Sequence, residues 1–299
     1  MGRRLHELVV VALVAIGGFG CFGFGDRSET LPENFEPHVV LADSSLLLGG
    51  DGGMSGWRVS SGAPDRFAPM GEGAIVAADV GSDGVVAISQ AEGGRNSRLW
   101  SHSATGWSGG TELSHGPINQ LMVTPSGALW TEGDRGVFQS VDRGVSWTSL
   151  SVPRSLRLGA RKLGRSGDRI AYAGPELMVT TDEGQSWTTI DAGDVVTTDG
   201  TWVVSTRGDD AMRVGQIVRD DIVWTDEVKG AWNPSAVRAS AHGVRILATR
   251  RLSTQVELLQ GDVDGRGFVS TKLKTQPEWV GLGERVLWLD SRNRVRSLP

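Results

Sequence analysis

Two stretches decide how this chain is read: Ser140-Val141-Asp142-Arg143-Gly144-Val145-Ser146-Trp147 and, 40 residues later, Thr180-Thr181-Asp182-Glu183-Gly184-Gln185-Ser186-Trp187. Both fit S/T-x-D-x-G-x-x-W. A hydroxyl and a carboxylate two residues apart can close a turn through local hydrogen bonds. Gly two positions on tolerates the left-handed backbone of a tight corner. The Trp three beyond supplies a bulky apolar anchor. A corner of this kind recurring at fixed spacing marks a repeated unit rather than an isolated turn.

Outward from this pair, the whole chain repeats. Short apolar runs begin at Leu46, Val85, Ala128, Ile170, Trp202, Val244 and Val286, spaced 39, 43, 42, 32, 42 and 42 residues apart. Most follow a tight-turn pair such as Asp83-Gly84, Ser126-Gly127 or Asp199-Gly200, and several are preceded by another apolar segment, such as Leu121-Met122-Val123. Each unit therefore starts with a hairpin. The remainder has room for two more strands, which in the third unit are Gly136–Gln139 and Ser146–Leu150. No apolar stripe of helical period and length runs through the chain after residue 25. A four-stranded unit of 40–45 residues is the period of a β-propeller blade, where radial packing buries both faces of the sheet. The sequence thus predicts an all-β chain: a seven-bladed β-propeller of four-stranded antiparallel blades over residues 38–299. The last blade is one strand short, and Ser28 to Phe35 either closes it, hiding an open sheet edge, or is a tether, as Pro32 and Pro37 favour.

The paired motif resembles the Asp-box, or BNR, repeat. The resemblance covers the repeats, most of residues 38–299, but only two units match in full; the first unit keeps a stretched relic in Asp51, Gly53 and Trp57. Families with this repeat include sialidases, sortilin-type receptors and photosystem II stability/assembly factors. In them the Asp-box is a peripheral hairpin. The resemblance therefore implies a structural role for Ser140, Asp142, Gly144 and Trp147, and for Thr180, Asp182, Gly184 and Trp187, and no metal. Sialidases are similar in fold and use three arginines, a Tyr nucleophile with a Glu partner, and an Asp. This chain has no R-I-P-like element, and its one tyrosine, Tyr172, lies in the apolar run Arg169-Ile170-Ala171-Tyr172, where a core role is expected.

The N-terminus reads as an address. Arg3 and Arg4 precede nine apolar residues, Leu8 to Ile16, and a glycine-rich stretch that ends at Cys21, the only cysteine. A basic start, a short apolar core and small residues describe a secretory signal, while a membrane-spanning helix needs about 20 strongly apolar residues. Cys21 after Gly20 resembles the lipid-modified cysteine of a bacterial lipoprotein, although the usual Leu three residues before it is Gly18 here. A cleaved soluble form and an uncleaved anchor are the other outcomes. The expected organisation is residues 1–25 as signal, 26–37 as tether or closing strand, and 38–299 as propeller, exported to the cell envelope. A lone cysteine also excludes a disulfide scaffold.

Composition narrows the partners. The net charge is −5, so bulk attraction to nucleic acid is not expected. Basic residues comprise 26 Arg and 4 Lys, and Arg favours bidentate polar contacts. Arg154, Arg157, Arg161 and Arg165 crowd the segment between the third and fourth units and form the candidate binding surface. Other patterns carry less. Gly106-Trp107-Ser108-Gly109-Gly110 matches a nucleophile elbow but lacks the strand-to-helix context, so a turn is expected. Asp262-Val263-Asp264-Gly265 is half a calcium loop without its remaining ligands, so a tight turn is expected there too. The histidines lack ligand spacing. No metal and no cofactor are expected. The function expected is a non-enzymatic, membrane-tethered propeller that binds a protein or an anionic glycan. The alternative is a sialidase-like glycoside hydrolase or a glycan-binding lectin.

Overall fold

The computed structural model describes residues 74–90, 96–103, 106–133, 135–150, 162–174, 176–193, 195–208 and 210–273. It also describes the strands 28–30, 37–40, 47–49, 55–57, 279–282, 286–289 and 294–298. Every strand pair among them is antiparallel. Strand β1 is Ser28–Thr30, and β2 (Pro37–Val40), β3 (Leu47–Gly49) and β4 (Ser55–Trp57) form a three-stranded sheet.

Five four-stranded meanders then follow from Ala74 to Lys272. They are β5 (Ala74–Gly81), β6 (Gly84–Gln90), β7 (Ser97–Ser103) and β8 (Gly106–Leu113); β9 (Ile118–Val123), β10 (Leu129–Gly133), β11 (Gly136–Ser140) and β12 (Thr148–Ser149); β13 (Lys162–Ser166), β14 (Arg169–Ala173), β15 (Leu177–Thr180) and β16 (Thr188–Ile190); β17 (Val195–Thr198), β18 (Trp202–Arg207), β19 (Ala211–Val218) and β20 (Asp221–Lys229); and β21 (Trp232–Ser240), β22 (Gly243–Arg250), β23 (Val256–Gln260) and β24 (Val269–Lys272). The last strands, β25 (Trp279–Leu282), β26 (Val286–Leu289) and β27 (Arg294–Leu298), take β1 as a fourth, with Glu29 opposite Val295.

Each apolar run read from the sequence falls on the second strand of a sheet, and those strands form the core. Ile88, Trp130, Ile170, Val203, Val204 and Ile246 have no measurable exposure. A strand in the middle of a sheet covered on both faces cannot alternate in polarity, so it reads as a continuous apolar run. The core is a series of layers between successive sheets. Ile88 and Leu99 pack with Ile118 and Leu129; Trp130 and Val137 with Ile170 and Tyr172; Ala171 and Val179 with Val203 and Ile217; Val204 and Met212 with Val237 and Ile246.

The first strand of each sheet touches the first strand of the next. These contacts run β2, β5, β9, β13, β17, β21, β25 and back to β2. Because the strands alternate in direction, the first-to-second hairpins and the third-to-fourth corners share one edge of the assembly. The second-to-third turns and the inter-sheet connections share the other.

One expected turn is a strand. Gly106 to Gly110 opens β8 and pairs with β7, with a bulge opposite Leu99 and Trp100. Gly109 and Gly110 take φ of +116° and +88°, and a Cβ at Gly110 would lie 2.9 Å from the Trp100 ring. The glycines let the bulged strand pass over an indole, which is a positional need of the sheet rather than of a turn.

Candidate functional site

The two Ser/Thr-Asp-Gly-Trp corners have the same internal wiring. In the first, Ser140 Oγ donates to Asp142 Oδ1 at 2.8 Å and accepts from the Gly144 amide at 2.7 Å. The Ser146 amide and hydroxyl donate to the two Asp142 oxygens at 2.8 and 2.5 Å. In the second, Thr180, Asp182, Gly184 and Ser186 repeat these four bonds at 2.7, 2.9, 2.9 and 2.5 Å. The donors from Ser146 and Ser186, aided by Ser140 and Thr180, hold each carboxyl down at about 2. Each carboxylate thus has both oxygens engaged by its own turn.

What each corner reaches for lies on the preceding sheet. A Cβ at Gly144 would overlap the Leu99 side chain of β7, and one at Gly184 would lie 2.9 Å from the Trp130 ring of β10. The Trp187 and Trp130 rings sit 5.9 Å apart. The residue between Asp and Gly also reaches back: Arg143 donates to Asp83 at 2.6 Å, and Glu183 accepts from the Ser126 amide and hydroxyl at 3.1 and 2.6 Å. The tight turn expected at Asp262 is a third corner of this kind, a likeness the sequence pattern did not show. Asp262 Oδ1 accepts from the Asp264 and Arg266 amides, and a Cβ at Gly265 would strike Trp202 of the preceding sheet. The Asp-to-amide bond spans four residues as in the full motif, but the glycine is one place later, so a fixed-spacing pattern passes over it.

Carboxylates on the first hairpins point the other way, onto the following sheet. Asp79 accepts from the Val123 amide and Asp199 from the Ala239 amide, both at 2.8 Å. Burial raises the Asp79 carboxyl above its ordinary range, against the pull of the Val123 and Val80 amides and of Arg165 and Arg238. Among the described residues, then, two arginines act on one acid where the first strands end. Tyr172 is 1% exposed in the layer with Trp130 and Ile170, as expected of a core residue.

The opposite edge carries an open polar groove of about 520 Å³ over the sheet β17–β20, under the β16–β17 connection. Ser205, Arg213 and Glu227 form one row across β18, β19 and β20. The Arg213 guanidinium lies 4.0 Å from the Trp224 ring centre, and Arg207 reaches Glu227 at 3.8 Å.

No family model and no curated protein matches the chain. Solved structures do. The β-propeller domain of Cps50 (Swd1) from Myceliophteria thermophila is 13% identical, with a TM-score of 0.66 over 91% of this chain and 99% of that one. The chain folds as a β-propeller. Virginiamycin B lyase from Staphylococcus aureus is similar at 14% identity and a TM-score of 0.60, over 91% and 98% of the two chains. U3-55K is similar at 13% and 0.60, over 92% and 98%. At such identities the likeness concerns the fold alone.

Of the expected binding residues, Arg165 alone is among the described residues. Arg154, Arg157 and Arg161 fall outside the described residues, as does Cys21. Arg165 is exposed at the far end of β13, one residue before its hairpin closes at Ser166 and Arg169. It therefore belongs to the corner edge.

A buried histidine sits between the β5–β8 and β9–β12 blades. His115 Nε2 is 3.0 Å from Thr131 Oγ1, and the ring stacks on Phe138 at 4.3 Å and lies 5.0 Å from Trp147. Burial, then the charge of Arg135, lowers its pKa below 6.5. Between 6.5 and that lower value the unfolded chain holds a proton that the folded chain refuses. Stability should therefore fall as pH drops below 6.5, by at most about 1.4 kcal/mol per pH unit from this group. Urea midpoints between pH 7.5 and 5 check this, and His115→Phe should flatten the slope.

Proposed function

We propose that this chain is an exported, membrane-tethered, seven-bladed propeller of the Asp-box type that binds another macromolecule and carries out no reaction of its own. The observation that carries the reading is the closed circuit of first-strand contacts from β2 round to β25 and back, with β1 completing the last sheet. Such a circuit makes a rigid ring whose two edges are free for contact. The corner wiring supports the Asp-box assignment, since each corner ties one blade to the blade before it. Binding fits the groove edge, where charged side chains stand open. One structural neighbour, at 10% identity and a TM-score of 0.61, was solved within the mitotic checkpoint complex. The tether follows from the basic, apolar and glycine-rich order of residues 3–21.

A photo-crosslinking amino acid at Thr206, on the groove edge, should trap a discrete adduct in cells, and one at Val141, on the corner edge, should not. Failure from positions on both edges, or turnover of aryl glycosides by the purified chain, would overturn the reading. For the tether, a tagged fatty acid fed to cells should label the wild type and not Cys21→Ser. Equal labelling of both would end that part.

A further inference from the structure

We propose that the groove over the β17–β20 blade binds a carboxylate-bearing saccharide, a uronic acid unit of an anionic glycan. The proposal rests on the binding reading above and names its ligand class. The groove is built across one sheet face. Ser205, Arg213 and Glu227 stand side by side on three adjacent strands, Arg207 is two residues beyond Ser205, and Asp191 lies on the connection above.

Their states are unequal. Arg207 and Glu227 face each other at 3.8 Å, a loose pair whose side chains are 75% and 47% exposed. The Arg213 guanidinium carbon is held over the Trp224 ring, 4.0 Å from its centre. Among the described residues, neither the Arg213 side chain nor the Asp191 carboxylate takes a hydrogen bond or an ion pair. Ser205 is only 4% exposed, yet its hydroxyl has no partner among those residues and lines the same space. The hydroxyl opens onto the groove and can meet a ligand there as donor or acceptor.

The chemistry of these groups selects the ligand. A guanidinium anchored over an indole keeps its planar fork of N–H donors, which suits a carboxylate accepted at two points. Asp191 is an acceptor that asks for hydroxyl or N–H donors, and Ser205 serves either way. One carboxylate flanked by several hydroxyls on a compact ring meets all three demands, and a groove of about 520 Å³ is in the range of small-ligand sites. An acidic peptide also satisfies Arg213 and brings N–H donors, but only a sugar ring holds several hydroxyl donors rigidly beside one carboxylate, and the described lining is mostly polar.

The test is titration calorimetry of the full chain with tetragalacturonate, set beside neutral maltotetraose and hexaglutamate. Tetragalacturonate should bind saturably and the other two should not. Arg213→Gln should weaken it by about tenfold or more, the worth of a charge-assisted bidentate contact. Arg213→Lys, which keeps the charge and loses the fork, should fall between. Circular dichroism of both variants establishes that they are folded. No saturable binding at millimolar ligand, equal affinity in wild type and Arg213→Gln, or equal binding of hexaglutamate would each overturn the proposal. In those cases adducts formed at Thr206 with another macromolecule would leave the binding reading standing.

Discussion

Trp130→Ala should remove about 3–5 kcal/mol of stability, the range for deleting a large buried aromatic. Trp130 is the largest side chain with no exposed surface among the described residues. It stands on the middle of β10 and touches a layer drawn from two blades, with Met122 and Val137 on its own and Leu163, Ile170, Tyr172 and Met178 on the next. The Gly184 corner and the Trp187 ring close over it. Truncation therefore empties the joint between two blades and strips the second corner of its seat. A domain stable by about 5–15 kcal/mol would lose a large share of that margin. The buried Trp130 Nε1 has no hydrogen-bond partner among the described residues. Trp130→Phe, which removes that donor and keeps most of the volume, should cost much less than Ala. Urea denaturation checks both, and a loss below about 1 kcal/mol for Trp130→Ala would remove this residue from the inter-blade joint.

Gly164→Val should be comparably damaging, at about 3 kcal/mol or more, the upper end for overpacking. Gly164 lies on β13, where a Cβ would sit 2.5–2.6 Å from the backbone of Thr198, Asp199 and Gly200 in the next blade. The approach is mutual, since a Cβ at Gly200 would lie 2.6 Å from the backbone at Arg165. Backbone atoms cannot rotate aside as a side chain can, so the two blades must separate. Gly127 is the control. Its φ is +86° but open space surrounds it. Gly127→Ala should cost only the left-handed backbone penalty, about 1–2 kcal/mol. If both substitutions cost the same, the close passage of β13 and the β17–β18 turn is not a constraint on the ring.

Much of the fold is written locally. The turn-plus-apolar run is a second strand preceded by a hairpin, and Val85, Ala128, Ile170, Trp202 and Val244 all fall within one residue of such a strand. The two Trp corners are equally local, because all their internal bonds span four residues or fewer. The bonds between blades are not. Asp79 to Val123 and Asp199 to Ala239 link residues 44 and 40 apart, and no feature of an isolated aspartate shows that it will face a neighbouring strand's amide. The groove was invisible for the same reason. Arg213 and Trp224 are separated by a hairpin with a bulge at Val214 and Gly215, and only that register stacks one on the other. Of the run of arginines, only Arg165 falls among the described residues, at the hairpin end of β13.

The circuit of blades is tested most directly by tying its ends together. Residues opposed in an antiparallel pair have Cα atoms about 4.5–5.5 Å apart, within the range a disulfide spans. In a Cys21→Ser background, Glu29→Cys with Val295→Cys should oxidise rapidly to an intramolecular disulfide and raise the unfolding midpoint, while Glu29→Cys with Thr189→Cys should not close. Failure of the matched pair to close, or closure no faster than the mismatched one, would contradict a ring sealed by its first strand.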